Sequence, residues 1–503
     1  LKPAVVIGSG FGGLAAAVRL RARGYPVIVL EANEQPGGRA SVFERDGFTF
    51  DAGPTVVTAP YLFDELFALL GRDSKDYYDL VPVDPFYRVK FGDGSQFDYV
   101  GEEDRLIEQI RQLSPGDVDG YRRLAALCKQ IFDIGYTQLA DQPFDRVTDM
   151  LRITPDLVRL GGYRTVYGMV AKHIKDDRLR QVFTFQPLLI GGSPFQTSAI
   201  YLLIHWLERK WGVHFPKGGT GAIVRGLVQL LDEAGVDVRC NTPVAEILVE
   251  GGKVTGVRTE AGEVIEASVV VSNADPSTTY TKLVAPQHRR VNTDRRVRRV
   301  RQSMSLFVTY FGAKGTYDAT AHHTILLGPR YKGLLNDIFN KRVLAKDFSL
   351  YLHRPTASDP TLAPPGHSGF YVLSPVPNDK SGLDWSQHAE EYEDRILSFL
   401  DEGELPGIKK NIVTKFSVDP RYFSGRLRSM DGAAFGPEPV LWQSAWFRYH
   451  NRSEDVPGLF FAGAGVHPGA GLPGVVTGAK VLDKVVPAPE VALALPEARR
   501  RSA

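Results

Sequence analysis

The most chemically specific stretch of the chain is Gly8-Ser9-Gly10-Phe11-Gly12-Gly13, which directly follows the apolar run Ala4-Val5-Val6-Ile7. Glycines at this spacing suit pyrophosphate binding. Gly8 permits a tight turn, Gly10 lets the backbone approach the phosphates, and Gly13 lets a helix pack closely on a strand. Phe11 and Gly12 lie in the turn just before that helix, whose free N–H groups and positive dipole end face the anion. Glu31 closes the next apolar run, where a carboxylate accepts hydrogen bonds from a ribose and disfavours a 2′-phosphate. NADP is therefore not expected at this site.

These residues need a strand, a helix and a second strand in that order. Residues 4–7 read as a buried parallel strand, 14–23 as a helix, and 25–30 as the second strand. A strand, a glycine turn, a helix and a strand ending in Glu form one βαβ unit, which a chance glycine-rich loop does not reproduce. Near the other end, Gly463 and Gly465 follow an apolar run, and Gly469, Gly471 and Gly474 spell a second GxGxxG. Pro473 intrudes there and no acid-ended strand follows, so this is not a second nucleotide site. It reads instead as the start of a helix, with Val475 in its first turn.

Composition narrows the classes. The chain has 503 residues, 43% hydrophobic and 23% charged, with a net charge of +2. That length predicts more than one domain, and that charge gives no field for nucleic acid. Cys128 and Cys240 sit far apart, with neither a metal-ligand pattern nor a disulfide framework, which fits a reducing cytoplasm. No HExxH, GxSxG or Cys-x-x-Cys occurs, and no metal site is expected. No apolar run reaches the ~18 residues of a membrane span, and no secretory signal is expected, since the first apolar run leads directly into the glycine motif. The segment from Pro487 onward, rich in Pro, Ala and Arg, is expected to be disordered.

Ala32-Asn33-Glu34-Gln35-Pro36-Gly37-Gly38-Arg39-Ala40 resembles the extended signature of the amine-oxidase and carotenoid-desaturase flavoproteins. The resemblance implies FAD, with Gly37, Gly38 and Arg39 wrapping the pyrophosphate. Asp51-Ala52-Gly53-Pro54-Thr55 is similar to that superfamily's flavin-side segment, which makes Gly53, Pro54 and Thr55 candidate contacts. Val244, at the start of a strand, and Asn273, where the run 269–274 meets a loop, are further candidates. With FAD in place, the helix beginning near Gly474 and Val475 would set positive potential beside the flavin's pyrimidine ring.

Two longer strings resemble the bacterial and fungal phytoene desaturases. One is Phe460-Phe461-Ala462-Gly463-Ala464-Gly465-Val466-His467-Pro468-Gly469-Ala470-Gly471-Leu472. The other runs from Gly191-Gly192-Ser193-Pro194-Phe195 through Trp211-Gly212-Val213 to Pro216-Lys217-Gly218-Gly219-Thr220. The family usually carries Thr or Ala at Val466. The likeness extends from Val5 to about Lys484. It implies FAD-dependent dehydrogenation of a C40 polyene such as 15-cis-phytoene, giving lycopene or neurosporene. Open alternatives are another polyene substrate, an isomerase or saturase, a non-catalytic flavin or carotenoid carrier, and an amine oxidase.

Such a substrate offers no polar handle, so a long apolar tunnel is expected. The 27 Phe, 20 Tyr and 5 Trp can supply its walls. Hydride transfer to flavin N5 with loss of a neighbouring proton needs mainly positioning, and a carboxylate near the ring would serve to accept the proton or stabilise the charge. Asp149 and Arg152 are the candidate catalytic pair. A hydrocarbon dissolved in lipid requires membrane contact. Leu157, Leu160, Tyr163, Val166 and Val170 recur at helical spacing among Arg159, Arg164, Lys172 and Lys175, as in an interfacial helix. Arg289, Arg290, Arg295, Arg296, Arg298, Arg299 and Arg301 add a basic surface for anionic headgroups. Oxygen or a membrane quinone is the expected electron acceptor, since only one dinucleotide fingerprint occurs.

The expected fold is α/β, with a Rossmann-like FAD-binding domain, an inserted β-sheet substrate domain and a mostly helical membrane-associating region. The expected segments are 1–83, 216–285 and 450–486 for FAD, 84–101 and 286–449 for the substrate sheet, 102–215 for the helices and 487–503 for the tail. A cytoplasmic enzyme held peripherally at the membrane is the expected location.

Overall fold

Every residue of Ala4–Ile7 is buried, which places this strand inside a sheet covered on both faces. The computed structural model describes residues 2–489; most of the expected disordered tail, 490–503, lies outside the described residues. The first sheet runs Leu459–Phe461, Val269–Ser272, Ala4–Ile7, Val27–Leu30, Asp237–Arg239, all parallel. Side chains alternate between its faces. Ala4, Val6, Val27 and Val29 meet helices Phe11–Ala22, Thr220–Glu233 and Leu472–Val485. Val5, Ile7, Leu30 and Val270 meet the small antiparallel sheet of Val244–Glu250, Lys253–Thr259 and Val264–Glu266. From Ala4–Ile7 the chain crosses to Val27–Leu30 on one side, while Val269–Ser272 lies on the other. Ligands of open α/β sheets bind at such a switch point, beyond the carboxyl ends of the strands.

A second sheet of seven strands runs Ile412–Val418, Ser305–Lys314, His367–Val376, Leu350–His353, His323–Leu326, Tyr87–Lys90, Gln96–Tyr99. Its pairs are antiparallel except that between His323–Leu326 and Tyr87–Lys90. One face buries Phe307, Phe311, Leu352 and Phe370 against helix Trp385–Glu402. From the opposite face Leu306, Val308, Tyr351 and Leu373 join the largest apolar cluster.

Between the strands of these sheets lies a helical stretch containing Glu103–Leu113, Val118–Gly135, Val147–Arg159, Val166–His173 and Leu203–Trp211. The stripe expected to form one interfacial helix from Leu157 to Val170 is instead broken. The chain leaves the helix at Leu160, and Gly161 takes a φ of +70° in the left-handed region open to glycine. Leu160, Val166 and Val170 then turn into the core rather than outward. The arginine run divides in the same way. Arg289 is buried beside Asp294 and Arg301 pairs with Glu438, so only the others remain exposed.

Candidate active site

A cavity of about 990 Å³ spans the carboxyl ends of the first sheet and the inner face of the second. Gly8, Gly10, Phe11 and Gly12 line it together with Glu31, Gly37, Gly38 and Arg39. Gly53, Pro54, Thr55, Val244, Asn273, Gly463, Gly474 and Val475 line it as well.

The glycines are required by contact. The Asn273 amide, donating to the Ala462 carbonyl at 3.1 Å, wedges between three of them. A Cβ on Gly10, Gly12 or Gly463 would meet that amide at 2.9, 2.6 and 2.3 Å. Two predicted glycines serve from behind the wall. A Cβ on Gly13 would lie 2.0 Å from the Gly8 carbonyl oxygen, and one on Gly465 would lie 2.2 Å from Pro276 Cδ. No acidic residue occupies the first turn of Phe11–Ala22, so its N–H groups and dipole are free for an anion.

Glu31 is buried and accepts four hydrogen bonds, from Ser9 N and Oγ (2.9 and 2.6 Å) and from Asn33 N and Nδ2 (both 2.9 Å). The two backbone donors fix the carboxylate. The two side-chain donors rotate, so ribose hydroxyls can take their places without moving the chain. The segment after Asp51 is held by the second sheet: Tyr310 Oη donates to the Ala52 carbonyl (2.7 Å), Tyr371 Oη to Gly53 (3.1 Å), and Tyr351 Oη bonds Thr55 Oγ1 (2.7 Å). Arg39 donates to the Ala434 carbonyl and to Ser429 Oγ at 2.6 and 2.7 Å. The N-terminus of Leu472–Val485 also meets the cavity, through Ala470, Gly471, Leu472 and Pro473. A glycine cradle, an unneutralised helix start and a fixed carboxylate fit FAD.

Beyond the cradle the walls are apolar, with Leu188, Leu203, Leu207, Leu306, Ile325 and Leu327 among them. Asp149 and Arg152 are not part of this lining. Asp149 accepts from the Arg146 N–H at 3.3 Å, closing the start of Val147–Arg159, and Arg152 stands 3.9 Å from it with 65% exposure. That pair does the work of a helix terminus.

The carboxyl that does line the apolar wall is Glu208, 1% exposed, on helix Leu203–Trp211. Tyr87 Oη donates to its Oε1 at 2.8 Å, and Oε2 has no partner. Burial pushes its pKa up to about 8. Sequence reasoning missed it because Glu208-Arg209-Lys210 reads as a solvated charged run. Its spacing of four from Ile204, which puts both on one helix face, was the available signal.

The pH dependence of stability follows. Glu208, with Glu438 (about 7) and Asp51 (about 6), keeps by burial a proton that the unfolded chain releases. For Glu208 the stabilisation is complete below its ordinary value of 4.5 and is lost as pH rises to about 8. Melting temperatures taken from pH 5 to 8 are expected to fall more steeply for the native chain than for Glu208→Gln. Parallel curves would remove Glu208 as a cause.

A dinucleotide cradle opening onto an apolar chamber defines a flavin-dependent oxidoreductase. The sequence profile of the flavin-containing amine oxidoreductases matches residues 11–480. A lycopene-forming phytoene desaturase of Pantoea ananas is 47% identical over 481 residues, 95% of this chain and 98% of that protein. A neurosporene-forming phytoene desaturase of Rhodobacter capsulatus is 44% identical over 490 residues, 96% and 94% of the two chains. The solved structure of putrescine oxidase bound to putrescine superposes with a TM-score of 0.66 at 15% identity, covering 97% of this chain and 99% of that one. The chain belongs to the flavin-containing amine oxidoreductase family and, within it, to the phytoene desaturases. Its cofactor is FAD.

Proposed function

We propose that the chain dehydrogenates 15-cis-phytoene to lycopene or neurosporene, with oxygen or a membrane quinone reoxidising the flavin. The observation that carries this reading is the single cavity joining the cofactor cradle to an apolar wall. When bound, FAD supplies a hydride acceptor at N5. The protein's residues supply the rest. The leucines and isoleucines of the wall hold the polyene and exclude water. In this reading Glu208, on the cavity lining, takes the proton lost from the neighbouring carbon or stabilises positive charge spread along the chain. Asp149 and Arg152 act, in this reading, by fixing the start of their helix. Segments 1–83, 216–285 and 450–486 would form the FAD domain, and 84–101 with 286–449 the substrate sheet. Incubating the FAD-loaded protein with 15-cis-phytoene in liposomes tests the reading. Coloured products of longer conjugation support it; phytoene recovered unchanged with oxygen and quinone supplied would overturn it.

The membrane reading rests on a patch that shares only Tyr163 with the expected stripe. Helix Val147–Arg159 buries none of its residues. Val147, Leu151 and Val158 stand 54, 68 and 58% exposed, with Tyr163 beyond them at 58%. The helix contacts Ala445–Phe447, where Phe447 is 48% exposed, and Arg146, Arg152 and Arg159 are exposed around it. An apolar face ringed by arginines suits an anionic lipid interface, at the face of a cytoplasmic, peripheral protein. No helix among the described residues is long and apolar enough to cross a membrane. Flotation with anionic liposomes at low salt is expected for the native chain and strongly reduced for Leu151→Glu with Val158→Glu. Equal flotation of both proteins would move the contact elsewhere.

A further inference from the structure

Three buried histidines lie behind the cavity wall. The register pairs His323, first residue of His323–Leu326, with His353, last residue of Leu350–His353. His322 precedes that strand, and its carbonyl accepts from the Arg354 N–H at 2.9 Å, which fixes its place beside the other two. The ring centroids lie 4.4, 4.8 and 5.2 Å apart. One ring nitrogen from each residue falls within 4.8 Å of the others. Exposures are 5, 0 and 1% for His322, His323 and His353.

Hydrogen bonding in the triangle is one-sided. His322 Nδ1 meets Ser358 Oγ at 2.7 Å, and His323 Nδ1 meets Tyr351 Oη at 2.6 Å. The Nε2 atoms of both, and both ring nitrogens of His353, have no partner. A buried polar atom left in this state is destabilising until something pairs with it. A neutral imidazole offers a lone pair at its unprotonated ring nitrogen. An Nδ1 engaged by an oxygen while Nε2 is free is the outer support typical of metal-bound imidazole.

We propose that His322, His323 and His353 bind a divalent metal ion of the zinc class through His322 Nε2, His323 Nε2 and one nitrogen of His353. Three imidazoles suit zinc and its late-transition neighbours and select against magnesium and calcium. Bonds of about 2.0–2.1 Å require donors roughly 3.3 Å apart, so the ring nitrogens, within 4.8 Å of one another, would draw together on binding. A water would complete four-coordination. Phe215, 4.6 Å from the His322 ring and 5.7 Å from that of His353, roofs the site. Arg354 opposes the ion's charge, and its partner Asp318 at 3.5 Å offsets part of that cost.

The ion would act as a positioning element. With His323 metallated at Nε2, its Nδ1 keeps the proton and donates to Tyr351 Oη. That hydroxyl then donates to Thr55 Oγ1, and both Tyr351 and Thr55 line the cavity. The ion thereby fixes the direction of a hydrogen-bond chain that ends on the cofactor segment. The sequence gives no hint of this site, because an adjacent His pair and a third His beyond helix Tyr331–Asn336 match no ligand spacing.

The test uses the FAD-loaded protein purified without metal-affinity chromatography. Elemental analysis is expected to give about one zinc-class ion per chain. After chelation, Co²⁺ titration is expected to give a saturable ligand-field band at wavelengths beyond flavin absorption. His353→Asn and His322→Gln should each lose the ion and the band. FAD content and a cooperative melt report whether each variant has folded. The proposal is overturned if the native protein holds no ion after growth in zinc and shows no Co²⁺ band. It is equally overturned if folded variants keep the ion, since it would then lie elsewhere. Should both variants fail to fold, the native Co²⁺ titration decides alone.

Discussion

Gly13→Ala is expected to yield a chain that leaves gel filtration without FAD. The added Cβ would lie 2.0 Å from the Gly8 carbonyl oxygen and 3.1 Å from the carbon of that carbonyl. Both are backbone atoms of the turn that opens the cradle, so no side-chain rotation relieves the overlap. Helix Phe11–Ala22 must lift from strand Ala4–Ile7, carrying its N–H groups away from the pyrophosphate. Overpacking of this kind costs about 1–3 kcal/mol, or roughly 5- to 150-fold in affinity if it falls on the cradle. The flavin-to-protein absorbance ratio reads it. Gly116→Ala, where a Cβ meets nothing within 4 Å, is the matched control and should keep its flavin. Full flavin retention in Gly13→Ala would mean that the helix start does not hold the phosphates.

The second large effect is expected from Glu208→Gln, with kcat lowered by about 10²–10⁴-fold and KM little changed. A hydrocarbon substrate gives no reason to keep a carboxyl on the chamber wall for binding. Yet Glu208 is 1% exposed there, with Oε2 unpartnered and its pKa raised to about 8 by burial. Glutamine preserves the shape and the contact with Tyr87 but neither accepts the proton nor carries the charge. The native rate should therefore rise with pH through a step near 8 that the variant lacks. A merely structural role would leave the pH profile unchanged. Unaltered kcat and the same step in both proteins would remove Glu208 from the chemistry.

The parts of the site legible in the sequence are those whose residues are contiguous. Gly8 to Gly13 and Gly37 to Arg39 carry their geometry in their spacing, because one turn or one helix start sets every distance. The cradle's wedge shows the limit: Asn273 belongs to a run expected as strand and loop, but its fit between Gly10, Gly12 and Gly463 depends on three segments far apart in sequence. Burial was the other missing quantity. Asp149 and Glu208 both read as helix carboxylates, and what separates them is 20% against 1% exposure. The apolar stripe from Leu157 to Val170 fits a helical period, yet Gly161-Gly162 marks the break, a signal the sequence did contain. The histidine triangle depends on antiparallel register, which no local pattern encodes.

The most direct test of the central claim is an anaerobic mixing experiment. FAD-loaded protein is combined with liposomes containing 15-cis-phytoene, and with matched liposomes lacking it, while the oxidised-flavin band is followed without any external acceptor. Bleaching only with phytoene, in step with newly conjugated product, is the predicted result. A flavin that stays oxidised while the polyene is demonstrably delivered would contradict hydride transfer from this substrate in the joined cavity.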